Sequence, residues 1–511
     1  MGVLVQSVQW YWSQSSTACA VEALTLALLA WRVLTRLLVK LPPGAPPLYK
    51  EGSGVLGSQE FVTSRANYLA EGIRQSITGQ FSFWHGGNHI VVVSGEAART
   101  SFQTARGLDP GAGFAALFGS FLDISELTRD SMRRAMLIYK RCTQTDHLAT
   151  SLHHLVSDCD SYMRNIRSTT IEKGGLAVVD AQKFLGLLMF QLTHRVAGVH
   201  EIANDPSLLR ETWNVYTPLE DSPYIDILMP WLPTPSKMRK IWGYAKLHFT
   251  VSRIARERKA AGRTEHDMLQ MLMDADLGIG MQSLSVIGAV LAGVFNTTFS
   301  TVYNICCLAV EHEWLERMRA EIDTVIESQR ALTQRPTAPL VEILQTLTVH
   351  DWETRFPILR AAIAESIRFT MAGAVVRKNI SPNDLEIGDT GFVIPQGSLA
   401  VHATADTHMD ESLYPNPLTW DPRRFMGDRP QGSDVAHGYL GWGSGKHTCP
   451  ARRFAELNVL VATVMFIAHF DFHVCDRTGN DSGGPLPPIM YNRMGAGQLQ
   501  TSVFLACRGR L

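Results

Sequence analysis

The sequence predicts a mostly α-helical chain that carries small antiparallel β-sheets. Two observations point there. Apolar residues recur at helical spacing through long runs, at 132–163, 179–199, 284–310 and 356–369. Alternating, Val- and Ile-rich pieces are short and bounded by turn residues, as at 81–94 around Gly86-Gly87-Asn88. No internal repeat and no low-complexity tract is present.

Composition sets the limits. The chain has 511 residues, 45% hydrophobic and 19% charged, which is enough to bury a large core. No internal linker divides residues 48–511, so they are taken as one domain. A net charge of -1 argues against nucleic acid as a partner. The eight cysteines (Cys19, Cys142, Cys159, Cys306, Cys307, Cys449, Cys475 and Cys507) match no CxxC zinc spacing. Such a scattered set suits a reducing compartment.

Taken in order, residues 1–16 form a short leading segment and residues 17–41 an apolar run long enough to cross a bilayer as a helix. No Lys or Arg precedes Arg32, whereas Arg32, Arg36, Lys40 and Lys50 follow the apolar centre. Positive-inside bias then makes 1–16 lumenal and the remainder cytosolic. The basic start of a cleaved signal peptide is missing. A soluble amphipathic helix is the competing reading. Residues 42–47, Pro-Pro-Gly-Ala-Pro-Pro, are expected to be a stiff extended hinge. Residues 60–75 are expected to be helical. Residues 109–122, with Phe114, Leu117, Phe118 and Phe121, read as an adaptable apolar loop. Residues 217–242 hold five prolines among apolar side chains, fitting a pocket cover, a membrane dip or a packed surface loop.

Residues 284–310 carry no charge, yet Asn296, Thr297, Thr298, Ser300, Thr301 and Asn304 crowd the middle. Facing lipid, they would be expensive. A buried central helix with this polar cluster turned to a site fits better. Residues 315–325 continue as an amphipathic helix, and Glu365 and Arg368 share a helix face at i, i+3. Gly441, Gly443 and Gly445 then free a loop to lie against something flat, and Cys449 follows ahead of a helix-competent run at 452–472. A cysteine at a helix N-terminus is expected to be a thiolate and a metal ligand. A buried inert thiol is the alternative.

Three motifs now stand in order: Glu365-Ser366-Ile367-Arg368, Pro422-Arg423-Arg424-Phe425, and Trp442-Gly443-Ser444-Gly445-Lys446-His447-Thr448-Cys449. Together they resemble the cytochrome P450 family of haem-thiolate monooxygenases, over nearly the whole chain. The resemblance implies the P450 fold with an N-terminal transmembrane anchor. It implies haem b (iron protoporphyrin IX) with Cys449 as axial iron ligand. Trp442, Gly443 and Gly445 would contact the haem, and Arg377 and His447 its propionates, with Lys140 or Arg141 as a further candidate. Glu365, Arg368 and Arg424 would form a buried charge triad. Thr297 would be the oxygen-side hydroxyl and Asn296 would stand where the family places an acid. Phe114, Phe118, Phe121, Phe295 and Val375 would line the cavity.

The implied activity is oxidation of a lipophilic small molecule, in the style of fungal terpenoid, steroid or other secondary-metabolite enzymes. The electrons would come from NADPH through cytochrome P450 reductase at the endoplasmic reticulum membrane. Asn296 in place of an acid keeps a second reading open, a haem-thiolate isomerase or dehydratase that consumes a peroxide without electrons. A haem sensor without turnover is a third.

Overall fold

The computed structural model describes residues 40–49, 58–118, 129–172, 175–219, 232–492 and 495–510, with scattered positions between 20 and 31 and at 223, 225 and 226. The proposed anchor at 17–41 lies largely outside the described residues. At the positions described there the backbone is helical at 22–24, and Leu24, Leu26 and Trp31 are exposed.

In chain order the main elements are α1 (Arg65–Gln75), β1 (Phe81–His85), β2 (Asn88–Val93), α2 (Glu96–Thr104), β3 (Leu108–Asp109), α3 (Pro110–Phe118), α4 (Arg129–Arg141), α5 (Thr145–Glu172), β4 (Ala177–Asp180), α6 (Ala181–Ala197) and α7 (Pro206–Tyr216). They continue with α8 (Pro235–Ala261), α9 (Met268–Asp274), α10 (Ile279–Val310), α11 (His312–Thr333), α12 (Pro357–Thr370), β5 (Ala374–Asn379), β6 (Leu385–Glu386), β7 (Val393–Ile394) and β8 (Leu399–Ala403). The C-terminal part is α13 (Arg452–His469), β9 (Phe470–Cys475), β10 (Ile489–Met490), β11 (Gln498–Leu499) and β12 (Phe504–Gly509).

The helix α10 runs through the largest core cluster and packs against α6, α8, α12 and α13. Among the described residues it is the helix long and apolar enough to cross a membrane, but most of its side chains are buried inside the protein. Its neighbour α12 starts at Pro357, where the missing N–H is harmless. The free N–H groups of Ile358 and Leu359 are taken by Glu321 of α11, at 2.7 and 3.0 Å.

A five-stranded sheet in the order β1-β2-β8-β5-β3 stands beside the helices. Alternate residues bury two clusters on its faces: Ile90, Val92, Val376 and Val401 on one, Val91, Val93 and Ala400 on the other. Its pairing corrects the all-antiparallel expectation, because β2 and β8 run parallel. A three-stranded sheet, β4-β12-β9, and two short ribbons complete the strands.

Three local expectations are corrected. Residues 42–47 do not stand off as an extended spacer. They turn, with Ala45 N–H donating to Pro42 at 3.2 Å, and dock on the sheet, where Ser82 donates to Pro46 and Pro47 at 2.7 and 2.8 Å. The expected loop at 109–122 contains the helix α3, which Gly113 allows to press on β5; a Cβ there would lie 2.8 Å from the Arg377 Cα. The expected helix at 60–75 breaks at Ser64.

Candidate active site around the cysteine loop

The loop before α13 is built by backbone geometry. Gly443 and Gly445 adopt φ of +66° and +63°. A Cβ on Gly445 would sit 2.2 Å from the Gln103 carbonyl, and one on Gly441 2.5 Å from Ile367, so the loop is wedged between α2 and α12. The Cys449 N–H closes it by donating to the Trp442 carbonyl at 2.7 Å. Trp442 is half-buried with the Arg452 guanidinium over its ring at 5.9 Å. Helix α13 begins at Arg452, so Cys449 precedes the first turn. Burial pushes its thiol up, outweighing the Ala451 N–H and Arg452, which pull the other way. Burial thus opposes the thiolate that a place ahead of a helix favours.

Beneath the loop lies a buried ionic knot. Arg368 grips Glu365 through two parallel hydrogen bonds of 2.8 and 2.9 Å, and neither side chain is exposed. Arg424 adds a second cation 3.3 Å from the same carboxylate, which also accepts the Asp421 N–H at 3.0 Å. The knot reaches the loop through Arg368 to the His408 carbonyl, and His408 Nε2 to the Leu440 N–H at 2.8 Å.

On another side of the loop lie two arginines and two histidines, with Asp109 acting on His447. Arg377 is buried, stacks on Phe102 at 4.3 Å and donates to the Phe102 carbonyl and to Gln103. Its Nε has no partner, and burial pulls the guanidinium down to about 10. His447 Nε2 is also buried without a partner. Arg99 lies nearby, donating to Ala436 and Thr407, and His437 bonds Ser444 at 2.6 Å. Neither Arg377 nor Arg99 forms an ion pair among the described residues. Such a cluster is suited to an anionic group. Arg99, Gln103 and His437 were missed by sequence reasoning, since no spacing marks them. Lys140 and Arg141 lie exposed in the last turn of α4.

Above, α10 presents one open stripe. Between Val286 and Ala309 its exposed positions are Gly288, Ala292 and Asn296, spaced i, i+4, i+8. The adjacent Gly293 approaches Phe454 of α13; a Cβ there would lie 3.9 Å from its ring. Thr297 is buried, and its hydroxyl donates into its own helix, to Gly293 at 2.5 Å and Val294 at 3.0 Å. Its lone pairs remain for an outside donor. Asn296 Oδ1 accepts the Ala496 N–H at 2.9 Å. The polar cluster of α10 is split, correcting the expectation that all of it faces the site. Ser300 bonds Thr370 at 3.0 Å, and Ser366 donates to Asn304 at 3.0 Å while receiving the Trp420 indole at 3.0 Å.

The expected cavity residues are dispersed. Phe114 is exposed on α3, Phe118 closes that helix, and Phe121 lies outside the described residues. Val375 is half-buried on β5, on the same strand face as Arg377. Phe295 is half-buried and tilted toward Trp213 and Phe299, with ring centroids at 6.3 and 6.4 Å. An open apolar groove of about 300 Å³ between α8 and α10, lined by Tyr244, His248, Ser283 and Ile287 among others, includes none of the expected site residues.

Residues 67–485 match the family model for cytochrome P450. The chain is 28% identical to the cytochrome P450 monooxygenase AacuE of Aspergillus aculeatus, over 84% of this chain and 86% of that one. It is 28% identical to the cytochrome P450 monooxygenase nsrP of Aspergillus novofumigatus, over 92% and 90%. Among solved structures, retinoic acid-bound cyanobacterial CYP120A1 superposes with a TM-score of 0.69 at 18% identity, over 92% of this chain and all of that one. This last likeness concerns the fold.

Proposed function

The chain belongs to the cytochrome P450 family and is a monooxygenase, and from that premise we propose that it oxidises a lipophilic small molecule of fungal secondary metabolism. The observation that carries the site assignment is the cysteine loop, wedged by its glycines and bordered by Arg377 and Arg99, two buried guanidiniums with no ion pair among the described residues. A flat, dianionic haem would suit it: Cys449 would ligate the iron, Arg377 and His447 would hold the propionates, and Trp442, Gly443 and Gly445 would border the ring. Haem b is the form we propose, and the absence of a CxxCH motif for covalent attachment agrees with it.

When bound, the haem iron supplies the activation of dioxygen, and the cysteine sulfur tunes it. The remaining work falls to the chain. The Glu365–Arg368–Arg424 knot fixes the loop that holds Cys449. Arg377, with Arg99 behind it, offsets buried negative charge. Thr297 donates its Oγ1 proton to Gly293, and its lone pairs are free to accept a hydrogen bond from water. Asn296 does not titrate, so a carboxylate relay at that position is replaced by a fixed amide.

The open stripe of α10 and Val375 carry no charge, which supports a lipophilic substrate. Exposed Leu24, Leu26 and Trp31 suit a membrane anchor; the charge bias of the sequence supports a cytosol-facing body, and we place it at the endoplasmic reticulum with electrons from NADPH through cytochrome P450 reductase. Co-expression with that reductase and a panel of terpenoid and steroid precursors tests the reading. Oxygenated products that require both NADPH and reductase support it; a peroxide consumed equally well without either transfers the assignment to an isomerase or dehydratase.

A further inference from the structure

Asn296 is the one polar side chain on the open stripe of α10, and its amide is oriented. The group facing it is the Ala496 backbone N–H, which can only donate, so the atom at 2.9 Å is the carbonyl oxygen of the amide. The contact is built from both sides. Ala496 is buried, and Gly495 adopts φ +88° where a Cβ would fall 2.6 Å from that oxygen. The turn is also tied to the end of α12, with Gly497 N–H donating to Thr370 at 2.7 Å and Tyr491 to Phe369 at 2.8 Å. With its oxygen committed, Asn296 has its Nδ2 amino group left to donate. That group has no partner among the described residues, and the side chain is exposed one position before Thr297.

We propose that Asn296 orients the substrate by donating a hydrogen bond from Nδ2 to an acceptor oxygen, a carbonyl or hydroxyl, on an otherwise lipophilic molecule. This rests on the monooxygenase reading and sharpens it. The substrate arrives already bearing that oxygen. A donor that loses its acceptor in a closed cavity is left unpaired, which is where discrimination comes from.

The test uses the full-length, haem-loaded chain and two matched probe pairs, tetralin with 1-tetralone and 5α-androstane with 5α-androstan-3-one. Binding is measured by equilibrium dialysis at pH 8, and amide hydrogen exchange is followed at Ala496. In the wild-type protein the ketone of at least one pair is expected to bind about tenfold more tightly than its hydrocarbon. Asn296→Asp keeps an acceptor for Ala496 but cannot donate when ionised. It should preserve slow exchange at Ala496 and lose the ketone preference. Asn296→Ala should lose both. The inference is overturned by equal or absent binding within both pairs, or by a preference that survives in Asn296→Asp. The thiolate–CO absorption band of the same preparations reports separately on the haem-thiolate reading. An intact band without ketone preference defeats this inference alone.

Discussion

Arg368 and His408 are joined so that one histidine serves two masters: its backbone carbonyl accepts the Arg368 guanidinium, and its ring Nε2 accepts the Leu440 N–H at 2.8 Å. The buried ion pair of α12 is thus coupled mechanically to the segment that runs into the cysteine loop. A pair that is worth little at a surface becomes an organising joint when buried, because removing one member leaves the others uncompensated.

Glu365→Gln should therefore be severe. It keeps the volume but leaves Arg368 and Arg424 buried without a counterion, at a cost of about 3–5 kcal/mol. The expected outcome is a much lower Tm and haem content near zero in purified protein. Full haem occupancy would remove the knot from the account.

Acid should weaken the fold through His408. Burial, reinforced by Arg368, lowers its pKa from 6.5 to about 3, and His194 is lowered to about 3 by burial as well. In the unfolded chain both rings return to the ordinary value. Below about 6.5 the unfolded state binds protons that the fold excludes, so stability is complete above that pH and declines toward pH 3. Each ring contributes at most about 1.4 kcal/mol per pH unit. Chemical denaturation at pH 7 and pH 5 should show the decline, and His408→Gln should make it shallower. A flat profile would mean these rings are protonated in the fold.

Thr297→Val should leave haem binding intact but reduce product formed per NADPH consumed, on the order of tenfold or more, with peroxide taking up the difference. Thr297→Ser, which keeps a hydroxyl one turn from Gly293, should restore most of the coupling. Equal coupling in all three proteins would exclude this hydroxyl from proton handling.

Topology has a single reporter. Of three Asn-x-Ser/Thr sites, Asn296 lies inside the helix α10 with its amide oxygen bonded to Ala496, and Asn379 is 1% exposed and donates to Asn383 and Ile394, so neither is expected to be modified on either side of a membrane. Asn480 is exposed. A cytosol-facing body should carry no glycan at Asn480 when expressed in a eukaryotic host. A glycan there would reverse the proposed orientation.

What the chain discloses in sequence is its local chemistry. The Gly86-Gly87 hairpin, the uncharged span of α10 and the pairing of Glu365 with Arg368 depend on residues a few positions apart, and each appears in the fold. Contacts between distant segments were not legible. The docking of residues 42–47 on Ser82 depends on a sheet edge formed elsewhere. The cations around Arg377 come from three separate elements. The tie between Asn296 and Ala496 spans 200 residues, and no motif records it. The ring contact of Phe295 with Trp213 on α7 is likewise a tertiary fact that no local spacing records.

The central claim is that Cys449 is the ligand to haem iron. It is tested most directly by the absorption spectrum of the reduced, CO-treated protein. The wild-type chain should show the red-shifted thiolate band, and Cys449→Ser should lack it while circular dichroism still reports a folded helical protein. A thiolate band that persists in Cys449→Ser would place the ligand elsewhere and contradict the account.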